Sequence, residues 1–180
     1  GEEPEMFRYW LQGGRITTGF LGGAQIDRFA NLNTTVVGPY DTPKVRLPGG
    51  GGAPEIASNC GQIFITMALT NRGFVDHLDF ITSMGHGEGG DHRARLGMKT
   101  RGPTRVITDL CIFEPDPVTK ELTVVSIHRG VTRGQIEENC GWPVRFAKEI
   151  VETPVPTATE LSVLRDINAA RNALTRPPDV

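Results

Sequence analysis

Four consecutive glycines, Gly49 to Gly52, are the feature that most restricts the structure this chain can adopt. They follow a strand-like run at residues 44–47 and precede Pro54 and Glu55, a pair suited to the first turn of a helix. Glycine reaches positive φ at little cost and has no Cβ, so the backbone of such a loop can approach a ligand closely. Its free amides could then hold an anion or a developing oxyanion. A flexible turn without a ligand is the alternative, and the spacing alone does not separate the two.

Length and composition describe one globular domain over residues 1–180. The chain is 38% hydrophobic and 22% charged, with a net charge of -2, which predicts no sustained attraction to nucleic acid or to an anionic membrane. No stretch approaches the roughly 20 apolar residues of a membrane helix. Its three cysteines, Cys60, Cys111 and Cys140, are widely spaced and odd in number. Reduced thiols in a cytoplasmic protein therefore fit better than a disulfide framework.

Strand-like and helix-like segments alternate along the chain, which predicts an α/β layered fold with a largely parallel sheet. A first helix is expected over residues 4–12 and another after the glycine loop. Two later helices begin with capping boxes, at Thr132 with Gln135 and at Thr157 with Glu160. The apolar face of the last helix, which carries Leu161, Leu164 and Ile167, is expected to pack on the sheet. Strands are expected at residues 16–21, 34–37, 44–47, 62–68, 74–82, 106–113 and 122–127.

Residues 84–102 are rich in glycine and charge and lack periodicity, which predicts a surface loop. The loop contains four residues of metal-ligand type, namely His86, Glu88, Asp91 and His92. A glycine-flexible loop imposes no rigid ligand geometry, so the mobile-loop interpretation is favoured over a metal site, and no metal is expected.

Several blocks, taken in order, resemble the β subunits of class I coenzyme A-transferases, of the glutaconate and 3-oxoadipate type. They read GFLGGAQID at 19–27, NLN at 31–33, KVRLPGGGGAPEIA at 44–57, SIHRGVT at 126–132 and IEENCGW at 136–142. The resemblance runs through nearly all of the chain. It implies an open, largely parallel α/β sheet flanked by helices, of the CoA-transferase and NagB/RpiA-like kind.

The resemblance also implies a binding site for the acyl-CoA thioester in the glycine-rich segment. The residues that would form it are Gly49, Gly50, Gly51, Gly52, Ala53 and Gln25. Coenzyme A would enter as the acyl-CoA substrate, and no permanently bound cofactor is expected. In this family a glutamate attacks the thioester and becomes a glutamyl-CoA thioester. The resemblance implies that this glutamate lies upstream of Gly1, and Glu2, Glu3 and Glu5 match no catalytic motif.

The family resemblance implies partner chains and leaves the reaction open. An α subunit would complete the active site, an N-terminal β-subunit fragment would carry the glutamate, and a higher hetero-oligomer would result. The leading hypothesis is transfer of CoA between carboxylic acids. Relatives that lack the glutamate act as acyl-CoA decarboxylases or ring-opening hydrolases, and a non-catalytic structural subunit is the third possibility. The residue at the glutamate position distinguishes the first two.

Overall fold

The computed structural model describes residues 5–175 as one layered α/β unit. Its strands are β1 Thr18–Leu21, β2 Gln25–Ile26, β3 Leu32–Asn33, β4 Val36–Val37, β5 Val45–Arg46, β6 Gln62–Thr66, β7 Pro103–Ile107, β8 Cys111–Pro115, β9 Leu122–Ile127 and β10 Arg145–Glu152. Its helices are a π-helical turn at Met6–Leu11, then α1 Ala53–Asn59, α2 His92–Arg95, α3 Arg133–Glu138 and α4 Ala158–Thr175. The expectations for Glu2, Glu3 and Pro4 lie outside the described residues.

Six strands form the main sheet in the order β1-β6-β7-β8-β9-β10. The pairs β1/β6, β6/β7 and β9/β10 are parallel, whereas β7/β8 and β8/β9 are antiparallel. Two small antiparallel pairs, β2/β3 and β4/β5, lie outside this sheet. The prediction of an open, largely parallel α/β sheet is thus confirmed, and the two antiparallel pairs within it come from a meander that joins β7 to β9.

The core lies on one face of this sheet, where alternate strand residues are buried. Ile63 and Ile65 of β6 are 0% exposed. The ring of Phe74 stacks against Phe113 and Trp142 with centroid distances of 5.9 and 5.7 Å. All three cysteines are buried and free, as expected for reduced thiols that pack as small apolar groups. Among residues 5–175, no helix is both long and apolar enough to cross a membrane.

Two of the predicted strands are wrong in extent, and β10 had no sequence prediction. Residues 74–82 form no strand beyond an isolated bridge from Phe74 to Ile26. The predicted strand at 106–113 is interrupted by the turn between β7 and β8. The Thr108 hydroxyl makes this turn by accepting hydrogen bonds from the amides of Leu110 and Cys111 at 3.1 and 2.9 Å. Local hydrogen bonding from a threonine side chain thus overrides the apolar character of the run.

The two capping boxes are confirmed, but the predicted packing of the last helix is wrong. The Thr132 hydroxyl accepts from the Gln135 amide at 3.3 Å, and that of Thr157 accepts from the Glu160 amide at 3.2 Å. In α4, however, Leu164 is 54% exposed and Ile167 is 60% exposed. Residues 153–157 have no regular secondary structure and connect β10 to α4. This linker lets the helix lie away from the sheet.

The segment 84–102 is irregular, as expected, but it is anchored rather than mobile. Asn31 is 1% exposed, and its side-chain oxygen accepts from the amides of Gly85 and Gly87 at 2.8 and 3.0 Å. His86 is 4% exposed and Arg93 is 6% exposed. Polar side chains buried with hydrogen-bond partners therefore hold a segment that has almost no regular secondary structure.

Candidate functional site

The glycine loop adopts a conformation that side-chain-bearing residues accept poorly. Gly49 has φ +94° and Gly51 has φ +49°, both in the region that glycine favours. A Cβ on Gly52 would lie 2.3 Å from Cζ of Phe7, so this glycine is required by packing. A Cβ on Gly50 would meet Pro54 at 3.3 Å, a tight but tolerable contact. Three of the four glycines are thus required for identifiable local reasons.

Three amides of this loop have no backbone acceptor in the described part of the chain. The Gly49 amide donates to the Thr34 carbonyl at 2.9 Å, whereas the amides of Gly50, Gly51 and Gly52 make no such bond. Unpaired amides on consecutive residues can solvate an anion or a carbonyl oxygen that gains negative charge. The loop therefore has the donors that an oxyanion site needs.

Cavities flank the loop on two sides. One, of about 280 Å³, is lined by Gly23, Ala24, Thr34, Leu47, Pro48, Gly49, Gly50 and Ala53. The other, of about 290 Å³, is lined by Phe7, Gly51, Gly52 and Glu55. The wall of the first cavity is almost wholly apolar, a surface that suits an acyl chain or the arm of a thioester, whereas the second combines the Phe7 ring with the Glu55 carboxylate.

Thr34 fixes the start of the glycine loop by bonding both backbone groups of Gly49. Its carbonyl accepts from the Gly49 amide, and its hydroxyl donates to the Gly49 carbonyl at 2.8 Å. The amide of Thr34 in turn donates to the Thr82 hydroxyl at 2.9 Å. These contacts fix the position of the first glycine of the loop. Sequence reasoning did not single out either threonine.

Gln25 does not reach the cavity, because its side chain is committed to a buried network. Its Nε2 donates to Asp79 at 2.8 Å, and its Oε1 accepts from the Asn33 side chain at 2.7 Å. The Gly38 amide, and then Gln25, lower the pKa of the Asp79 carboxyl. The neighbouring Ala24 lines the cavity instead. The structure therefore brings Ala53 and the glycines together but gives Gln25 a supporting position.

Other residues considered from the sequence are engaged elsewhere. Glu55 accepts from the Asn59 side chain at 2.8 Å, although it also lines the cavity beside Gly52. His128 bonds the Thr108 carbonyl at 2.8 Å and so has a structural role. The ring of His86 bonds the Pro103 carbonyl at 2.7 Å, and the Glu88 amide donates to Nδ1 of His92 at 2.9 Å. These groups hold local structure rather than converging on one point.

Comparison with known proteins identifies clear relatives. Residues 1–139 match the family described as "Coenzyme A transferase". One subunit of the 3-oxoadipate CoA-transferase of Pseudomonas knackmussii is 59% identical over 165 residues, which are 92% of this chain and 64% of that protein. The corresponding subunit of the glutaconate CoA-transferase of Acidaminococcus fermentans is 36% identical, over 79% of this chain and 54% of that protein.

Solved structures agree with the sequence relatives. The glutaconate coenzyme A-transferase of Acidaminococcus fermentans matches with a TM-score of 0.82 and 30% identity, over 97% of this chain and 67% of that one. IpdAB of Rhodococcus jostii matches with a TM-score of 0.79 and 25% identity, over 91% and 64%. The chain spans less than two thirds of the length of the two curated relatives cited above. On these matches, the chain belongs to the coenzyme A transferase family.

Proposed function

We propose that this chain is the thioester-holding part of a CoA-transferase β subunit, and that the whole enzyme moves CoA between carboxylic acids. The observation that carries the proposal is the set of amides at Gly50, Gly51 and Gly52 that have no acceptor among residues 5–175 and lie beside two small cavities. The relative that is 59% identical, named as a 3-oxoadipate CoA-transferase subunit, supports transfer over the other activities found with this fold.

The reaction assigned to the whole enzyme proceeds through covalent carboxylate catalysis. A glutamate carboxylate, contributed by polypeptide outside these 180 residues, attacks the thioester carbonyl and CoA leaves as the thiolate. The thiolate then attacks the glutamyl carbonyl of the resulting anhydride, which releases the first acid and leaves glutamyl-CoA. An acceptor carboxylate reverses both steps and departs as the new acyl-CoA. Each tetrahedral intermediate carries an oxyanion, which the loop amides would stabilise.

The similarity to the Pseudomonas knackmussii protein makes 3-oxoadipate the first acid to test. The relatives named as subunits support an α subunit as the partner that completes the site. A fragment carrying the glutamate would be a further component. The decarboxylase AibA/AibB shares the fold with a TM-score of 0.77 at 23% identity, which carries no weight for activity.

Trapping the covalent intermediate tests the proposal. The complete complex is incubated with acyl-CoA and then treated with hydroxylamine or borohydride, and peptides are analysed by mass spectrometry. We expect one modified glutamate outside residues 1–180, together with exchange of CoA between 3-oxoadipate and a second carboxylic acid. Release of CO₂, or hydrolysis without a trapped glutamate, would contradict transfer and favour the decarboxylase or hydrolase alternatives.

A further inference from the structure

A cavity larger than the two at the glycine loop lies between the anchored segment 84–102 and the β8–β9 turn. Its volume is about 570 Å³, and its walls include Arg93, Arg101 and Lys120 together with His86 and Asp91. Three prolines, at positions 103, 115 and 117, complete much of the remaining wall. We call it the basic cavity, and nothing in the proposed thioester chemistry uses it.

The positive charge of the basic cavity is not neutralised within the described residues. None of its three cations lies within 4.0 Å of a carboxylate there, whereas Asp91, the acidic residue of the wall, is paired with Arg95 at 2.9 Å. The Lys120 ammonium donates to the Pro117 carbonyl at 2.9 Å, and Arg101 donates to the Gln62 side chain at 2.8 Å. Both groups keep further N–H donors for a ligand.

Arg93 adds a second, independent observation. It is 6% exposed, and it donates to the Gly85 carbonyl at 2.8 Å and to the Thr100 hydroxyl at 2.7 Å. Its Nε has no hydrogen-bond partner in the part of the chain that the structure describes. A buried cation without a carboxylate is costly, so an anion brought to the cavity would offset its charge. The pKa of His86 is lowered to about 4, chiefly by burial and additionally by the charges of Arg93 and Lys120. This agrees with a positive field at this wall.

We propose that the basic cavity binds a phosphate-bearing anion, with Lys120 and Arg101 as its direct donors and Arg93 as buried supporting charge. Phosphate suits this arrangement because charge-assisted hydrogen bonds to its oxygens are strong. Arg93 also donates to the Ala57 carbonyl at 3.3 Å, near the end of α1 that is remote from the glycine loop. A seven-residue helix spans about 10 Å, so the basic cavity and the glycine loop flank one short element.

Two sources could supply the phosphate. One is the phosphate groups of CoA, in which case the inference rests on the proposed function. The other is a separate phosphate ligand, in which case it is independent of that function. The distinction needs compounds that carry different phosphates, namely inorganic phosphate, CoA, 3′-dephospho-CoA and pantetheine. Of these, CoA and 3′-dephospho-CoA differ only in the 3′-phosphate, whereas pantetheine lacks both the phosphates and the adenosine.

The test is calorimetric titration of the complete complex with these four compounds. Variants are Lys120→Gln and Arg101→Gln, with Lys148→Gln as a control that removes the same charge from an exposed position of β10. We expect each cavity variant to weaken binding of a phosphate-bearing compound by roughly tenfold, which equals about 1.4 kcal/mol. Pantetheine binding and the control should be unchanged.

Each outcome has a definite meaning. Weaker CoA binding with unchanged pantetheine binding places the nucleotide half of CoA at the cavity, and a smaller loss for 3′-dephospho-CoA than for CoA assigns the contact to the 3′-phosphate. An effect confined to inorganic phosphate assigns the cavity to a separate ligand. The proposal is overturned when wild type shows no saturable phosphate binding and no CoA effect, or when Lys148→Gln weakens binding as much as the cavity variants. A glycine-loop variant that loses transfer activity but still binds phosphate would show that the basic cavity and the thioester site act independently. Failure of one proposal would then leave the other standing.

Discussion

Glycine is needed at Gly51 for its backbone conformation and at Gly52 because Phe7 occupies the space that a side chain would take. Gly51 has open space around an added Cβ, so its substitution changes the backbone without introducing a clash. Gly130 offers a matched case, with φ +83° and equally open space, in a turn before α3. Comparing the same substitution at Gly51 and at Gly130 therefore distinguishes the cost of backbone strain from a role in the candidate site.

Gly51→Ala and Gly130→Ala should each lower the free energy of unfolding by roughly 1–2 kcal/mol, the cost of a left-handed L residue. Only Gly51→Ala should also lower kcat/KM for acyl-CoA, by at least about tenfold, because a shifted amide no longer faces the oxyanion. Urea unfolding and steady-state kinetics of the complex measure the two effects. Equal kinetic losses in both variants would count against a site role for the loop.

His86 should make the stability of the fold sensitive to acid. Its pKa is about 4 in the folded protein, against 6.5 for an ordinary histidine, chiefly because burial disfavours the charged ring. Between those values the unfolded chain binds the extra proton, so the free energy of unfolding falls as the pH drops from about 6.5 to 4. The full effect is at most about 3 kcal/mol.

Urea unfolding at about pH 7 and about pH 4.5 measures this effect in wild type and in His86→Gln. The loss on acidification should be smaller in the variant, since glutamine does not titrate. At about pH 8 the histidine is neutral in both the folded and the unfolded chain, so any difference there reports only the lost packing and hydrogen bond. An identical acid loss in the two proteins would exclude His86 as its source.

Among the elements, α3 depends on its capping box. The Thr132 hydroxyl and amide both bond Gln135, which satisfies donors that a helix of six residues cannot satisfy internally. Thr132→Ala should therefore lower the free energy of unfolding by about 1 kcal/mol. Ser162→Ala on the exposed surface of α4 is the control and should be neutral or slightly stabilising. A neutral Thr132→Ala would show that packing of Ile136 suffices to hold α3.

For the last helix, α4, a substitution can test directly whether its apolar residues are exposed or packed on the sheet. Because Leu164 and Ile167 are 54% and 60% exposed, Leu164→Asp should leave the stability of the chain within about 0.5 kcal/mol of wild type. Chemical denaturation of the purified chain measures this. A loss of several kcal/mol would mean that α4 packs on the sheet in solution after all, as the capped amphipathic pattern had suggested.

For the molecule as a whole, the open sheet predicts assembly with other polypeptide. β1 and β10 are the edge strands, and they expose Phe20 at 66% and Val151 at 60%. Unpaired edges with exposed apolar residues are normally covered in native assemblies. Native mass spectrometry of the purified protein should therefore show a hetero-oligomer that contains a second, α-type subunit. A stable monomer with full CoA-exchange activity would contradict this prediction.

Sequence reasoning was most successful where local chemistry and side-chain periodicity agree. The alternation of apolar residues in β6 and β9, the capping boxes of α3 and α4, and the glycine loop before α1 could all be read along the chain. It failed at residues 74–82, where side chains such as Asp79 bond distant partners instead of continuing a strand. It also misplaced α4, because amphipathic spacing shows that a helix has an apolar face but not what covers it.

The amino-acid sequence by itself determined the α/β class, the family resemblance and the position of the glycine loop, because these depend on short-range conformational preference and on ordered motifs. Only the tertiary structure decided which loop amides lack an acceptor among residues 5–175, that the Gln25 side chain is committed to a buried network, and that three cations line one cavity. Those features depend on contacts between residues dozens of positions apart, such as Arg93 with Ala57 and Gln25 with Asp79. The glycine run thus marks the candidate site in the sequence, and long-range contacts decide which of its amides keep a free donor among the described residues.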